Sequence, residues 1–321
     1  MKILIASSIH KSAIDRLGAE HDVLCAFDAS EKKLRSLIAD REVLILRSGV
    51  QINAAVLSAA KSLQLILRAG SGVDNIDLDY VNQTDIQLVR IPGPGAKAVA
   101  ELSFALMLSM ARHVLEADRK LRKGRWTKHE MTGYLLTGKT LGIVGAGNIG
   151  TRVGQLGAAW GMRVFGCVEQ PNAEKAERLA AKNIHLTLFE DVLSRADFVS
   201  VHVPLQPSTR YLIDANALAQ MKSSAYLVNM ARGGVVDEAA LYDALVHNRL
   251  RGAALDVHER EGDGQISTLA EMNNVILTPH IGAGTFDSQA EIGDIVVETI
   301  AAFEARQTES VYADERVVVH V

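Results

Sequence analysis

Short apolar, β-branched runs alternate with helical patterns through the first third of the chain. KILIA, EVLILRS, LQLILRAG and IQLVR are separated by stretches such as AAVLSAAKSL. Such alternation predicts a parallel sheet covered on both faces, because strands buried on both sides read as near-continuous apolar runs. Glycine and proline cluster at RIPGPGAK, Arg90 to Lys97, which predicts a break. The stretch from Ala98 to Trp126 is apolar nearly all round at first and amphipathic later, predicting one long, largely buried helix that bridges two domains. From Lys139 the alternation restarts. TLGIVG, RVFGCV, FVSVHV, AYLVNM, GAALDV and VILTPH read as strands, with helices at NIGTRVGQLGAAW, EDVLSRA and EAALYDALVHNR, a second doubly wound unit reaching about His280. DSQAEIGDIVVETIAAFEARQ predicts an amphipathic helix and ERVVVHV a strand. One strand cannot stand alone, so it is expected to return to the first domain's sheet, making that domain discontinuous. The fold class is α/β, with two doubly wound parallel-sheet domains.

Composition narrows the function classes. A chain of 321 residues favours two compact domains, and 48% hydrophobic residues allow each a core. A charged content of 22% and a formal net charge of −4 offer no field for nucleic acid or an anionic membrane, so neither partner is expected. The two cysteines, Cys25 and Cys167, each sit in a short apolar run and read as buried thiols in a reducing compartment. No metal or redox role is assigned to them. MKILIASSIHKS is apolar for too few residues to be a signal peptide, and no run approaches the ~20 residues of a membrane span. A soluble, cytoplasmic protein is expected.

Gly145, Gly147 and Gly150 complete a G-x-G-x-x-G between a strand and a helix. The first glycine permits the tight turn, the second lets a pyrophosphate approach the backbone, and the third lets helix and strand pack closely. The phosphates would rest on a helix N-terminus, where free N–H groups and the dipole favour negative charge. An acidic residue at the end of the next strand would hold the adenine ribose, and Glu169 is the candidate. A carboxylate there favours NAD over NADP, whose extra phosphate it would repel, and no arginine stands beside it. A solvated loop glutamate is the alternative.

Three later loops each leave a polar residue at the C-terminal end of a strand, the edge where α/β sheets bind ligands. Arg232 follows AYLVNMA, Glu261 follows GAALDVHER, and His280 closes VILTPH. Singly, each has an ordinary alternative as a solvated loop residue. Beside a dinucleotide turn they make a hydride-transfer constellation. An arginine can clamp a carboxylate bidentately. A histidine can deliver or remove the hydroxyl proton while a nicotinamide handles the hydride. A neighbouring carboxylate would orient that histidine and favour its protonated form.

Five ordered motifs, LGIVGAGNIG, HVPLQPSTRYLI, LVNMARGGVVDEAAL, GAALDVHERE and TPHIGAGT, strongly resemble the D-isomer-specific 2-hydroxyacid dehydrogenases, the family of phosphoglycerate dehydrogenase and glyoxylate/hydroxypyruvate reductase. The resemblance runs from about Val43 to the C-terminal helix. It implies a Rossmann NAD-binding domain, residues 98–288, inserted into a flavodoxin-like substrate-binding domain, residues 1–97 and 289–321, which accounts for a glycine turn in mid-chain. It implies that Arg232 binds the substrate carboxylate and carbonyl, that His280 is the acid/base and that Glu261 is its partner. Asp256 falls near the nicotinamide amide. Gly145, Gly147, Asn148, Ile149, Gly150, His202, Pro204, Thr209, Ala231 and Gly282 fall at cofactor-binding positions. RAGSGVDNID matches a substrate-domain loop whose backbone amides, around Ser71, Gly72 and Val73, hold the substrate carboxylate. The glycine turn carries no cation, so phosphate contacts would come mainly from backbone N–H groups, with Arg152 close enough to assist.

The chain also departs from the family pattern. The ribose acid is commonly followed by proline, whereas Val168-Glu169 shifts the carboxylate by one residue. Gly262 replaces the proline that usually follows the catalytic glutamate, Gly284 stands where serine is common, and Gly95 and Ala96 stand where the linker often carries Asn and Ser, with Lys97 next to them. Arg47 and Arg68 end strands of the first domain at positions that resemble the phosphoglycerate dehydrogenase branch. Arg47 makes 3-phosphoglycerate, or another acid with a second anionic group, the preferred substrate class; a surface or capping arginine is the alternative, with glyoxylate or hydroxypyruvate as the substrate. With no regulatory domain after residue 321, serine feedback is not expected. A dinucleotide-sensing corepressor is the reading from a different class. The resemblance further implies a homodimer, with the VAELSFALMLSMA helix suited either to the interface or to the core.

Overall fold

The computed structural model of the chain describes residues 1–265 and 267–312. The strand expected at ERVVVHV lies outside the described residues. Two compact units are present. Ala96–Ala283 forms one, and Met1–Gly95 with the described residues after Ala283 forms the other.

In the first unit β1 (Lys2–Ile5), α1 (Lys11–Glu20), β2 (Asp22–Cys25), α2 (Glu31–Leu37), β3 (Val43–Leu46), α3 (Ala54–Ala59), β4 (Leu65–Arg68), α4 (Leu78–Asn82) and β5 (Gln87–Arg90) follow one another. All five strands are parallel, in the order β2-β1-β3-β4-β5, the flavodoxin-like winding. Alternate residues of the central strands serve opposite faces. Ile3, Ile5, Val43, Ile45, Leu65 and Leu67 pack with Ala13 and Leu17 of α1, whereas Leu4, Leu44, Leu46 and Ile66 pack with Leu34, Val56 and Leu57. That double coverage is why β3 and β4 read as unbroken apolar runs. The C-terminal helix Phe286–Tyr312 returns to the first of these faces through Ile292, Val296, Ile300 and Phe303. Strand β2 carries the short apolar run VLCAF at a sheet edge, where it is only half-buried. Cys25 ends it and is exposed, which corrects the expectation of two buried thiols; Cys167, in a central strand of the other unit, is buried.

The second unit contains α5 (Gly93–Ala111, whose first residues belong to the first unit), α6 (Val114–Arg122), β6 (Thr140–Val144), α7 (Asn148–Ala159), β7 (Arg163–Cys167), α8 (Ala173–Ala180), β8 (His185–Leu186), α9 (Phe189–Arg195), β9 (Phe198–Val201), α10 (Ala215–Gln220), β10 (Tyr226–Asn229), α11 (Glu238–Val246), β11 (Gly252–Leu255), a 3₁₀ turn Thr268–Glu271 and β12 (Val275–Leu277). The strand order is β12-β11-β10-β9-β6-β7-β8, all parallel. Counted from β6 this is the Rossmann order 3-2-1-4-5-6 with a seventh strand at the edge. The chain reverses direction across the sheet between β6 and β9.

Two expectations around the linker are corrected. The glycine-proline cluster is not a break throughout, because α5 already begins at Gly93, and Pro94 sits in its first turn, where a missing N–H leaves no bond unmade. The single helix from Ala98 to Trp126 is two helices meeting at 62°. Tyr134 N–H donates to the Ala111 carbonyl at 2.8 Å, a tertiary partner for a C-terminal orphan, and His113 turns the chain in the left-handed region at φ 53°. No glycine or proline stands at the break itself, whereas Gly133 beside Tyr134 has no room for a Cβ, which would lie 2.2 Å from the Ala111 carbonyl oxygen. Val99, Ala100, Phe104, Met107 and Met110 of α5 are spent on this unit's own core with Leu141, Ile143 and Phe198. The exposed apolar residues lie beyond the kink, at Val114, Leu115, Leu121 and Trp126. No single helix among the described residues is long and apolar enough to cross a membrane. No group of three or more His, Cys, Asp or Glu side chains among them could hold a metal ion.

Candidate active site

Because every strand of the second unit runs the same way, the loops after β12, β11, β10, β9, β6 and β7 leave one edge of the sheet in that spatial order. Along it stand His280, Glu261, Arg232, His202, the glycine turn and Glu169. From β6 to β11 is three strand spacings, about 14 Å.

The three glycines meet different constraints. Gly145 lies at φ 91°, and a Cβ there would stand 2.7 Å from Val203 Cγ1. A Cβ on Gly150 would stand 2.2 Å from the Gly145 carbonyl oxygen, so the helix can approach the strand only with a hydrogen at that place. A Cβ on Gly147 would meet nothing within 4 Å. The protein therefore gives no packing reason for Gly147, whereas a ligand lying on the turn does. Gly147 caps the twelve-residue α7 without a side-chain bond, and the first-turn N–H groups of Asn148, Ile149 and Gly150 have no intrahelical acceptor. Beside the turn, His202 bonds Ser200 Oγ through Nε2 at 2.8 Å, and burial pushes its ring down to about 3, so it is neutral at ordinary pH. Its buried Nδ1 has no hydrogen-bond partner among the described residues. An open cradle, a helix N-terminus and an orphaned buried nitrogen fit a dinucleotide phosphate-ribose backbone.

Pro204 and Thr209 shape the loop after β9. The Thr209 hydroxyl donates to the Pro204 carbonyl at 2.6 Å and accepts from Gln206 N–H at 2.9 Å, so its bonding is taken up by the loop itself. Glu169 lies exposed two residues past β7, and Val168 is half-buried. Lys175, which the sequence reading passed over, folds back so that its ammonium donates to the Gln170 carbonyl at 2.6 Å. Arg152 lines a groove of about 450 Å³ with Gly147, Asn148, Arg178 and Lys182, so it lies beside the turn.

At the other end, Glu261 Oε2 accepts from His280 Nδ1 at 2.8 Å. Burial would raise the Glu261 carboxyl, but the His280 hydrogen bond and the His258 N–H, which donates to Oε1 at 3.1 Å, outweigh it and hold the carboxyl below the ordinary glutamate range. His280 itself sits at φ 53°, a conformation that costs a non-glycine residue about 1–3 kcal/mol. Asp256 holds it there. The Asp256 carbonyl accepts from His280 N–H at 2.8 Å, Oδ1 accepts from Thr278 Oγ1 at 2.6 Å and Ile281 N–H at 2.9 Å, and Oδ2 accepts from Gly282 N–H at 2.8 Å. With only 2% of its surface exposed, Asp256 is thus spent on shaping the turn that presents the histidine. Gly282 has no room for a Cβ, which would lie 2.9 Å from Asp256 Oδ2. The Arg232 loop is organised by buried Asn229, a residue the sequence reading also missed although it is a polar side chain ending an apolar strand. Its Oδ1 accepts from Ala231 N–H and its Nδ2 donates to the Arg232 carbonyl. Gly233 then brings this loop against the Glu261 loop, since a Cβ on it would lie 1.7 Å from the His258 carbonyl oxygen.

In the first unit, Asn75 Nδ2 donates to the carbonyls of Arg47 and Val50 at 3.1 and 2.6 Å, fixing the loop after β3. Arg47 is half-buried, and desolvation lowers its guanidinium below the ordinary arginine value. Arg68 is buried, with its guanidinium packed against Gly70. The backbone N–H groups of Ser71, Gly72 and Val73 donate no hydrogen bond among the described residues, which leaves three successive donors available to an anion.

Comparison with known proteins agrees with this geometry. Residues 104–282 match the model of the D-isomer specific 2-hydroxyacid dehydrogenase NAD-binding domain. The chain belongs to the D-isomer specific 2-hydroxyacid dehydrogenase family. It is 39% identical over 300 residues to a D-3-phosphoglycerate dehydrogenase of Methanocaldococcus jannaschii, covering 94% of this chain but 57% of that one. It is 37% identical over 303 residues to a hydroxypyruvate reductase of Thermotoga maritima, covering 93% and 97%. The D-lactate dehydrogenase of Aquifex aeolicus, solved with NAD and lactic acid, superposes with a TM-score of 0.84 at 28% identity, covering 96% and 97%. The chain therefore spans little more than half of the phosphoglycerate enzyme and nearly all of the other two.

The roles of the three glycines separate in mutants. Gly150→Ala should cost about 1–3 kcal/mol of stability through the clash with the Gly145 carbonyl. Gly147→Ala should stay within about 0.5 kcal/mol of wild type while weakening NADH binding by about tenfold or more. Thermal melts with fluorescence titration of NADH check this, and an equal loss of stability in both variants contradicts it.

Proposed function

We propose that the chain interconverts a D-2-hydroxy acid and its 2-oxo acid with a nicotinamide dinucleotide, NAD(H) being preferred and a 3-phosphoglycerate-like acid being the favoured substrate class. The observation that carries this reading is the 2.8 Å His280–Glu261 pair, standing along the same sheet edge as the glycine turn. The bound nicotinamide would supply the hydride donor or acceptor. Glu261, ionised through the neutral range, takes the Nδ1 proton of His280 as a hydrogen bond and so fixes the ring tautomer. That leaves Nε2 to exchange a proton with the substrate oxygen. Arg232 is assigned to the substrate carboxylate and carbonyl, and the free N–H groups of Ser71, Gly72 and Val73 to the carboxylate as well. Asp256, the turn residues and His202 are assigned to shaping and lining the cofactor site. Glu169 supports NAD(H). One observation favours NADP(H) instead, the Lys175 ammonium at the same loop, where it could neutralise an extra phosphate. A homodimer is supported by the exposed apolar residues Val114, Leu115, Leu121 and Trp126.

The direct test follows NADH and NADPH absorbance with glyoxylate, hydroxypyruvate, phosphohydroxypyruvate, pyruvate and 2-oxoglutarate. Oxidation of NADH with one favoured acid is expected, and His280→Ala should lower kcat by about 10²–10⁴ with NADH binding retained. No oxidation of either cofactor would sink the enzyme reading, and faster turnover with NADPH would reverse the cofactor preference. Arg47→Ala should raise KM for a phosphorylated acid by about tenfold and leave KM for glyoxylate little changed; parallel changes would remove the case for a second anionic group. Sedimentation should give a dimer at micromolar concentration, and a monomer there would exclude the assembly.

A further inference from the structure

The loop that carries Glu261 lacks the stiffening its role calls for. Gly262 and Gly264 both lie in the left-handed region, at φ 75° and 74°, and a Cβ on either would meet open space. Such a segment draws little support from packing. The support comes from elsewhere. Glu238, the first residue of α11, donates its backbone N–H to Glu259 Oε1 at 3.0 Å, and Glu259 donates its own backbone N–H to Glu238 Oε1 at 2.7 Å. The second Glu238 oxygen, Oε2, accepts from Ser267 Oγ at 3.1 Å. Ser267 caps the 3₁₀ turn Thr268–Glu271.

We infer that Glu238 and Glu259 form a reciprocal carboxylate–amide clip that positions Glu261 against His280. Each glutamate satisfies the other's backbone donor. One of those donors is an orphan N–H of a helix N-terminus, where a carboxylate is also favoured by the helix dipole. Through its two oxygens the single Glu238 carboxylate holds Glu259 and Ser267, which flank the glycine-containing stretch. On the Glu259 side the tie passes directly to the reacting pair. His258 N–H donates to Glu261 Oε1, His258 Nε2–H donates to the Thr278 carbonyl at 2.9 Å, and Gly233 packs against the His258 carbonyl. The clip therefore couples the N-terminus of α11 to the orientation of the Glu261 carboxylate. Glu238 and Glu259 are positioning residues, acting on the reaction through Glu261. This inference rests on the proposed dehydrogenase chemistry.

Glu238→Ala should lower kcat by about tenfold to a hundredfold, with the dissociation constant for NADH changed less than about twofold. The acid limb of kcat/KM should move to higher pH, because Glu261 loses contacts that hold its carboxyl low. Glu238→Gln should recover most of the rate, since an amide oxygen still accepts from Glu259 N–H. Glu259→Ala approaches the clip from the loop side and serves if Glu238→Ala fails to fold. Hydrogen exchange of the 258–265 segment reads the clip without turnover and should accelerate in both alanine variants. Unchanged exchange would overturn the clip. Faster exchange with wild-type kcat and an unmoved pH profile would overturn its positioning role. A wild-type protein that turns over no 2-oxo acid would refute the dehydrogenase reading and the positioning role with it, while exchange would still report whether the clip exists.

Discussion

Parallel strand pairing is the constraint on which the rest depends. A parallel strand must be reached by a crossover, and because all the strands then run the same way their C-terminal ends emerge at the same edge. In the second unit this gathers residues as distant in sequence as Gly145 and His280 on one side of a seven-stranded sheet. The strands that accomplish this are buried on both faces and carry almost no polar groups, so the chemistry is confined to their ends. The division of labour is physical. Apolar burial fixes where the strand ends are, and hydrogen bonds beyond the last residue fix how each side chain is presented.

The second of those tasks is concentrated in acids. Asp256 accepts from four successive features of the loop after β12, counting its carbonyl, and holds His280 in a backbone conformation it would otherwise avoid. Glu238 and Glu259 do the same for the loop after β11, and Asn229 for the loop after β10. Each lies outside the His280–Glu261 pair and spends its polar atoms on backbone groups, with the Thr278 and Ser267 hydroxyls as the two side-chain partners. Hydrogen bonds between a carboxylate and backbone N–H groups are strong and directional, which suits them to holding a neighbouring loop in one geometry.

The glycine turn shows the opposite strategy. Gly145 and Gly150 are required by contacts inside the protein, whereas Gly147 is required by nothing in it. Only the last of these points outward to a ligand, the same division of roles that the spacing G-x-G-x-x-G implies. His202 adds a buried, neutral ring with an unsatisfied nitrogen beside the same turn. Together they make the turn a place where binding satisfies groups that folding left open.

The sequence by itself determined the two parallel α/β units, the central strands of both sheets, the glycine turn and the polar residues at strand ends, because each has a local signal: an unbroken apolar run, a spacing of glycines, or a charge after such a run. Strand β8, two residues long, escaped it, and the short apolar run of β2 gave no sign that it lies half-exposed at a sheet edge. The exposure of Cys25 followed from that edge position. The kink after Ala111 was equally hidden, because His113 takes up the left-handed conformation there without being a glycine, and the Ala111 carbonyl is met by Tyr134, twenty-three residues away. Tertiary structure alone decided that Asp256 is taken up by the His280 turn and that Glu238 meets Glu259. In both cases residues far enough apart to share no local pattern meet because the sheet places their loops side by side, and a hydrogen bond between them has no trace in spacing or composition.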